Sequence, residues 1–386
     1  MQPGYPSGRR RESYMPPVYF LIKPASSNCN LRCEYCFYQS EALGRKVASY
    51  GLMTEETLET IVRKGLEYAD RTCGFAFQGG EPTLAGLSFF ERLIALERKY
   101  GKANVRIMNS IQTNGMLIDE NWSRFLHDHR FLVGLSLDGP KDVHDLHRVD
   151  AHKEDTFGRV MKAAELFNRY QVEYNILSVV TSNSARHADR IYYFYKKNKF
   201  HYLQFINCLD PLEEGHGRSA YSLKPADLEK FLKRLFDRWY EDLMNGEYVS
   251  IRYFDNLVGI INGREPEACG MSGICSCNCA IEADSSMYPC DFYMTDSWCL
   301  GNIHDMKIEE MLQSKTAERF IKESAAMAPE CQECRWRNLC RGGCRRERDG
   351  GDSCRPGLNR FCSAYRGFFD YAYDRLVRVA RAEAGN

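Results

Sequence analysis

The chain reads as an α/β protein, an open, partial (β/α)6 barrel followed by a smaller cysteine-rich region. Three observations predict this. Between Tyr19 and Ile206, six short apolar runs alternate with amphipathic stretches at about 31 residues per unit, the usual size of a βαβ repeat. The segment after each run gathers small and polar residues. Of 17 cysteines, three crowd into "CNLRCEYC" near the front, and most of the others fall from Cys269 onward.

The runs predict strands at 19–23, 74–78, 105–111, 131–137, 173–180 and 202–206. Helical spacing lies between them: Phe157, Val160, Met161, Ala164 and Phe167 fall on one helix face. Thr54 and Asp119 are placed as N-caps. Repeated strand–helix units imply a parallel sheet with right-handed crossovers. Six units suit an open barrel better than a closed eightfold one. The first strand leads into the cysteine triplet, and the next five into "QGGEP", "QTNG", "SLDGP", "TSN" and "NCLDP". Gly, Asn and Asp favour turns anyway, but six such loops on one barrel rim favour a shared site.

A linker is expected near 210–223, a helix at 226–245 and a final helix near Tyr365. The chain divides into a disordered tail (1–17), the barrel (18–235), a connecting segment (236–268), the cysteine-rich region (269–364) and the C-terminal helix (365–386).

Lys plus Arg and Asp plus Glu number 52 each, which disfavours a general nucleic-acid or membrane-surface binder. No apolar run is long enough to span a membrane. Arg9 to Arg11 are followed by no apolar stretch of signal-peptide type. A cytoplasmic location is therefore expected, where cysteines bind metal or do chemistry more often than they form disulfides.

Cys29, Cys33 and Cys36 have spacing C-x3-C-x2-C. Three thiolates can hold three irons of a cubane cluster, leaving the fourth iron without a protein ligand. An open metal position marks a catalytic site, whereas clusters kept for electron transfer normally have four protein ligands. A zinc site completed by a distant residue is the alternative. In "GGEP", Gly79 and Gly80 let the backbone approach a ligand closely. Pro82 biases Glu81 toward extended geometry, and its carboxylate can pair with an ammonium group. Further on, C-x2-C-x5-C-x3-C spans 331 to 344 and Cys362 follows, with "CGMSGIC" and "YPCD" upstream. Taken alone, this pattern fits zinc and iron–sulfur equally.

With Tyr35 between Glu34 and Cys36, the triplet resembles the signature of radical S-adenosylmethionine (SAM) enzymes, and the later cysteines resemble a SPASM domain with two auxiliary 4Fe–4S clusters. Longer stretches, among them "LIKPASSNCNLRCEYCFY", "FAFQGGEPTLAGL", "LQFINCLDP" and "YPCDFY", resemble anaerobic sulfatase-maturating enzymes over about residues 16 to 380. That family oxidises a Cys or Ser of a sulfatase to Cα-formylglycine without oxygen. A 5′-deoxyadenosyl radical takes a hydrogen from the β-carbon, a base takes the thiol or hydroxyl proton, and an acceptor takes the remaining electron.

The resemblance implies three 4Fe–4S clusters and SAM. It places Cys29, Cys33 and Cys36 on the SAM-binding cluster. It puts Cys269, Cys275, Cys290 and Cys344 on one auxiliary cluster and Cys331, Cys334, Cys340 and Cys362 on the other. The remaining cysteines are 73, 208, 277, 279, 299 and 354, of which Cys277 and Cys279 lie close enough to a cluster to leave the ligand choice open. Tyr38, Gln78, Gly79, Gly80, Glu81, Ser136, Asp138 and Leu209 are implied cofactor contacts, and Gln78, Asn207 and Arg252 implied substrate contacts. Asp291, next to Cys290, is the implied general base, and like charge from the thiolates is expected to raise its pKa.

Partners implied are a sulfatase segment and a flavodoxin or ferredoxin, with the chain a monomer. The rival within the superfamily is a SPASM peptide maturase that forms thioether or carbon–carbon crosslinks. A rival of another class is an electron carrier or a zinc-stabilised interaction protein, which leaves "GGEP" and the open triplet unexplained.

Overall fold

The computed structural model describes residues 17–211, 217–349 and 357–384. Residues 1–16 of the expected tail, the middle of the expected linker and Cys354 lie outside the described residues. Six parallel strands form the barrel wall in sequence order: β1 (Val18–Ile22), β2 (Thr72–Phe77), β3 (Arg106–Thr113), β4 (Leu132–Ser136), β5 (Tyr174–Val180) and β6 (Tyr202–Asn207). Each overlaps the run that predicts it, because these strands are apolar on their buried sides and bounded by turn residues.

The sheet extends further than expected. β7 (Ser250–Ile251) pairs parallel with β6. On the other edge, β8 (Ala280–Ile281) pairs parallel with β1, and β9 (Ser286–Tyr288) and β10 (Gly301–Asn302) follow antiparallel. The order is therefore β10-β9-β8-β1-β2-β3-β4-β5-β6-β7, so the start of the cysteine-rich region continues the barrel sheet. This covers the β1 edge, whose backbone groups would otherwise be unpaired.

Aromatic side chains fill the space between sheet and helices. Phe20 and Phe75 stack at 5.9 Å, and Phe90 meets Phe77 edge-on at 5.0 Å. The Glu55–Tyr68 helix lies so close to β1 that a Cβ on Gly65 would come within 2.7 Å of Phe20. Thr54 caps that helix by accepting from Thr57 N, and Asp119 caps Glu120–Asp128 by accepting from Trp122 N. The Phe157–Tyr170 helix buries Val160, Ala164 and Phe167, with Phe157 and Met161 partly buried against the core.

The Pro225–Met244 helix runs through residue 235 and packs on the C-terminal helix Cys362–Ala384, where Phe236 meets Phe368 at 5.7 Å. Among the described residues no helix is long and apolar enough to cross a membrane.

Candidate active site

The strand ends converge on a cavity of about 290 Å³, bordered by Cys29, Cys33 and Cys36 on the loop after β1. Gly80 and Glu81 hold that loop in place through their backbone. Gly80 N donates to Ser26 O (2.9 Å) and Glu81 N to Asn28 O (2.8 Å). A Cβ on Gly80 would lie 1.9 Å from Asn28 O. Gly79 has φ +112°, and a Cβ there would strike the Lys23 side chain at 2.7 Å. The close approach these glycines permit in the structure is between β2 and the cysteine loop.

Glu81 borders the cavity, and its carboxylate is held by the chain's own donors. Oε1 accepts from Thr83 N (3.1 Å), Thr83 Oγ1 (2.6 Å) and Thr113 Oγ1 (2.7 Å), and Oε2 accepts from Asn114 N (2.8 Å). These bonds brace the loop after β2 against the end of β3 and hold the carboxylate at the cavity wall.

Asp138 departs from expectation. Ser136 lines the cavity and Asp138 does not. The Asp138 carboxylate is buried, accepting from Arg148 Nε (2.9 Å), Val179 N (2.8 Å) and the hydroxyl of Tyr35. It holds Tyr35 and Arg148 behind the thiols, and Arg148 Nη1 in turn points at Cys33 Sγ (3.9 Å). Asn114 Nδ2 (3.7 Å) and Leu31 N (3.3 Å) point at Cys29 Sγ. Asn114 and Arg148 were missed by sequence reasoning. Asn114 sits in the "QTNG" rim loop, so its position was signalled, whereas Arg148 carries no local signal.

Burial pushes the Cys29 thiol up to about 12, with Glu81 adding to the rise, and Cys33 up to about 11. Such thiols ionise only against a positive group, which a metal cluster would provide.

Asp291 enters from the cysteine-rich region on a short turn after Cys290. Its Oδ2 accepts from Gln78 Nε2 (3.1 Å), at the end of β2, and from Tyr38 OH (3.4 Å), on the Phe37–Leu43 helix. Its pKa is raised, as expected, but the cause is burial, and the Cys290 and Tyr38 hydrogen bonds oppose it. Phe37 packs edge-on against Phe292 at 5.0 Å, fixing the turn that carries Asp291. Tyr38, Gln78, Gly79, Gly80 and Leu209 all line the same cavity.

Asn207 lines this cavity and a neighbouring chamber of about 210 Å³. Arg252 lies in the neighbouring chamber alone of the two, donating to Gln204 Oε1 (3.0 Å).

The remaining thiols form two sets. Cys290 is influenced by Cys344 and Cys269, and Cys344 by Cys269 and Cys275. Cys340 is influenced by Cys362, Cys331 and Cys334. Cys277 neighbours Cys275, while Cys279 neighbours Cys277 and Cys73. Among the described residues no three His, Cys, Asp or Glu side chains converge closely enough for a single metal ion.

Residues 24–186 match the Radical SAM superfamily and residues 269–335 an iron–sulfur cluster-binding domain, SPASM. The chain is 55% identical to the cysteine-type anaerobic sulfatase-maturating enzyme of Clostridium perfringens strain 13, over 95% of this chain and 99% of that one. It is 30% identical to the serine-type anaerobic sulfatase-maturating enzyme of Bacteroides thetaiotaomicron, over 92% and 89%. The solved structure of native anSMEcpe with bound AdoMet and Cp18Cys peptide superposes with TM-score 0.91 at 53% identity, covering 95% of this chain and 99% of that one.

Proposed function

The chain belongs to the anaerobic sulfatase-maturating enzymes, and from that premise we propose that it oxidises the target cysteine of a sulfatase polypeptide to Cα-formylglycine. It is a radical SAM oxidoreductase whose cofactors are three 4Fe–4S clusters and SAM. The preference for cysteine over serine is supported by the higher identity to the cysteine-type relative.

The observation that carries the reading is the meeting of Asp291, Gln78 and Tyr38 beside the three-thiol loop. We assign Cys29, Cys33 and Cys36 to the SAM-binding cluster. Cys269, Cys275, Cys290 and Cys344 hold the first auxiliary cluster, and Cys331, Cys334, Cys340 and Cys362 the second. When bound, these groups supply the acceptor of one hydrogen atom from the substrate β-carbon and the acceptor of one electron.

The chain's residues do the rest. Asp291 takes the thiol proton at its carboxylate, and Gln78 and Tyr38 aim that carboxylate into the cavity. Loss of a hydrogen atom, a proton and an electron turns –CH2–SH into –CH=S, which water converts to the aldehyde with release of hydrogen sulfide. Asn207 presents its amide to the peptide at the cavity edge, and Arg252 does so from the adjoining chamber. Gly79, Gly80, Ser136 and Leu209 form the wall against which SAM rests. A small electron carrier such as flavodoxin or ferredoxin serves as reductant, and the chain acts as a monomer.

Anaerobic turnover with paired Cys and Ser peptides of a sulfatase motif, read by mass spectrometry, tests this. The Cys peptide is expected to yield aldehyde faster than the Ser peptide. Asp291→Asn is expected to keep its iron and lose at least about 100-fold in aldehyde formation. A crosslinked product would favour the peptide-maturase reading, and undiminished turnover by Asp291→Asn would remove that residue from the base role.

A further inference from the structure

Between the two auxiliary thiol sets lies a carboxylate that the reaction scheme leaves unused. Glu347 is buried on the short Arg345–Arg348 helix, which begins directly after Cys344. Its backbone N donates to Cys344 O at 3.1 Å. Its side chain lines the 210 Å³ chamber together with Cys344 of one set, Cys340 of the other, and Asn207.

Among the described residues, every hydrogen bond to this carboxylate comes from a neutral donor. Oε1 accepts from Asn207 Nδ2 (2.7 Å) and Tyr365 OH (3.3 Å), and Oε2 from Asn359 Nδ2 (2.8 Å) and Tyr365 OH (3.2 Å). The three arginines on its own helix turn elsewhere. Arg345 pairs with Glu323 and Asp349, Arg346 donates to Asp210 O, and Arg348 donates to Ala326 O and Ser324 O. Among the described residues no Lys, Arg or His forms an ion pair with Glu347. Two amides and a phenol are the pattern that satisfies a carboxylate without neutralising it.

We propose that Glu347 is a redox-tuning and positioning residue: it places a carboxylate with no ion-pair partner among the described residues beside the auxiliary clusters and fixes Asn207 at the edge of the substrate cavity. A carboxylate among mostly apolar lining residues acts more strongly on a nearby cluster than one in bulk water, because screening is weaker there. A negative one raises the energy of an added electron and so lowers the reduction potential. Glu347 is one turn from Cys344, so the cluster on Cys269, Cys275, Cys290 and Cys344 feels it most. Through Asn207, the same carboxylate ties peptide seating to the cluster next to Asp291.

This inference rests on the reading that both thiol sets hold clusters. Redox titration followed by electron paramagnetic resonance, on the anaerobically purified holoenzyme, tests it. In Glu347→Gln the first auxiliary potential is expected to move positive, the second to move less, and that of the SAM-binding cluster to stay. Tyr365→Phe removes a donor from the carboxylate and leaves its charge less screened. It is expected to move the first auxiliary potential negative, and it decides the matter if Glu347→Gln does not retain its clusters. A merely structural role would change iron content or melting temperature without this pair of opposite shifts. Unmoved potentials in the variants, or a negative shift in Glu347→Gln, overturn the proposal. Wild-type protein holding well under about 12 irons would instead overturn the three-cluster assignment itself.

Discussion

Glu41 lies one helical turn beyond Tyr38, almost fully buried, with neither carboxylate oxygen hydrogen-bonded among the described residues. Burial pushes its pKa up to about 8, Asp291 adds to the rise, and Lys23, Arg346 and Arg45 oppose it. A carboxyl whose folded pKa exceeds its unfolded value binds its proton more tightly when folded. Its penalty is absent below about pH 4.5 and grows as pH rises toward about 8. Glu41→Gln mimics the protonated form, so it is expected to match wild type near pH 4.5 and to be more stable above pH 8, on the order of a few kcal/mol. Anaerobic denaturant titrations across that range check this, and a constant difference at all pH values would refute it. Glu41 shows what sequence reading misses at this scale. One Glu in a polar stretch looks solvent-exposed, and only the tertiary fold turns it inward. The place of Asp291 at the cavity was legible because it abuts a cysteine within "YPCDFY". Glu347, inside "CRRERD", had the appearance of an ordinary charge run.

At the scale of elements, the six barrel strands were readable because burial on the sheet demands apolar runs several residues long. β7, β8 and β10 have two residues each, too few for any periodicity to register, and their pairing is imposed by neighbours. The glycine pair was flagged for the right property, close approach, but the approaching partner is the cysteine loop itself. That difference yields a test. Gly80→Ala must displace Asn28 O, and with it the loop carrying Cys29. It is expected to lose about a third of the bound iron and all SAM cleavage, while both auxiliary clusters remain. Gly158→Ala, with nothing within 4 Å of the added Cβ, is the control. It is expected to retain full iron and to gain up to about 1 kcal/mol from the better helix former. Iron assay and 5′-deoxyadenosine release measure both, and normal release from Gly80→Ala would break the proposed link between the glycine pair and the thiol loop.

For the whole molecule, the cysteine-rich region joins the barrel through more than a linker. β8 pairs with β1, and just beyond it Glu282 is fully buried against Lys23 (3.2 Å) and Arg45 (2.6 Å), both from the barrel side. These ties set the relative position of Asp291 and Gln78, so the proposed reacting geometry depends on the two regions holding as one body. The Lys23 and Arg45 charges hold the Glu282 carboxyl below its ordinary range despite burial. Its stabilising contribution is therefore present above the unfolded pKa and is lost as pH falls through the depressed folded value. Glu282→Gln leaves two buried cations facing a neutral amide, a change that costs about 3–5 kcal/mol when a buried pair is broken. Because the shared sheet couples the regions, calorimetry on the anaerobic holoenzyme is expected to show one transition at a lower temperature. If the cysteine-rich region instead melted early while the barrel kept its wild-type transition, Glu282 would be acting within one region only, and the alignment of Asp291 with Gln78 would have to rest on other contacts such as Phe37 against Phe292.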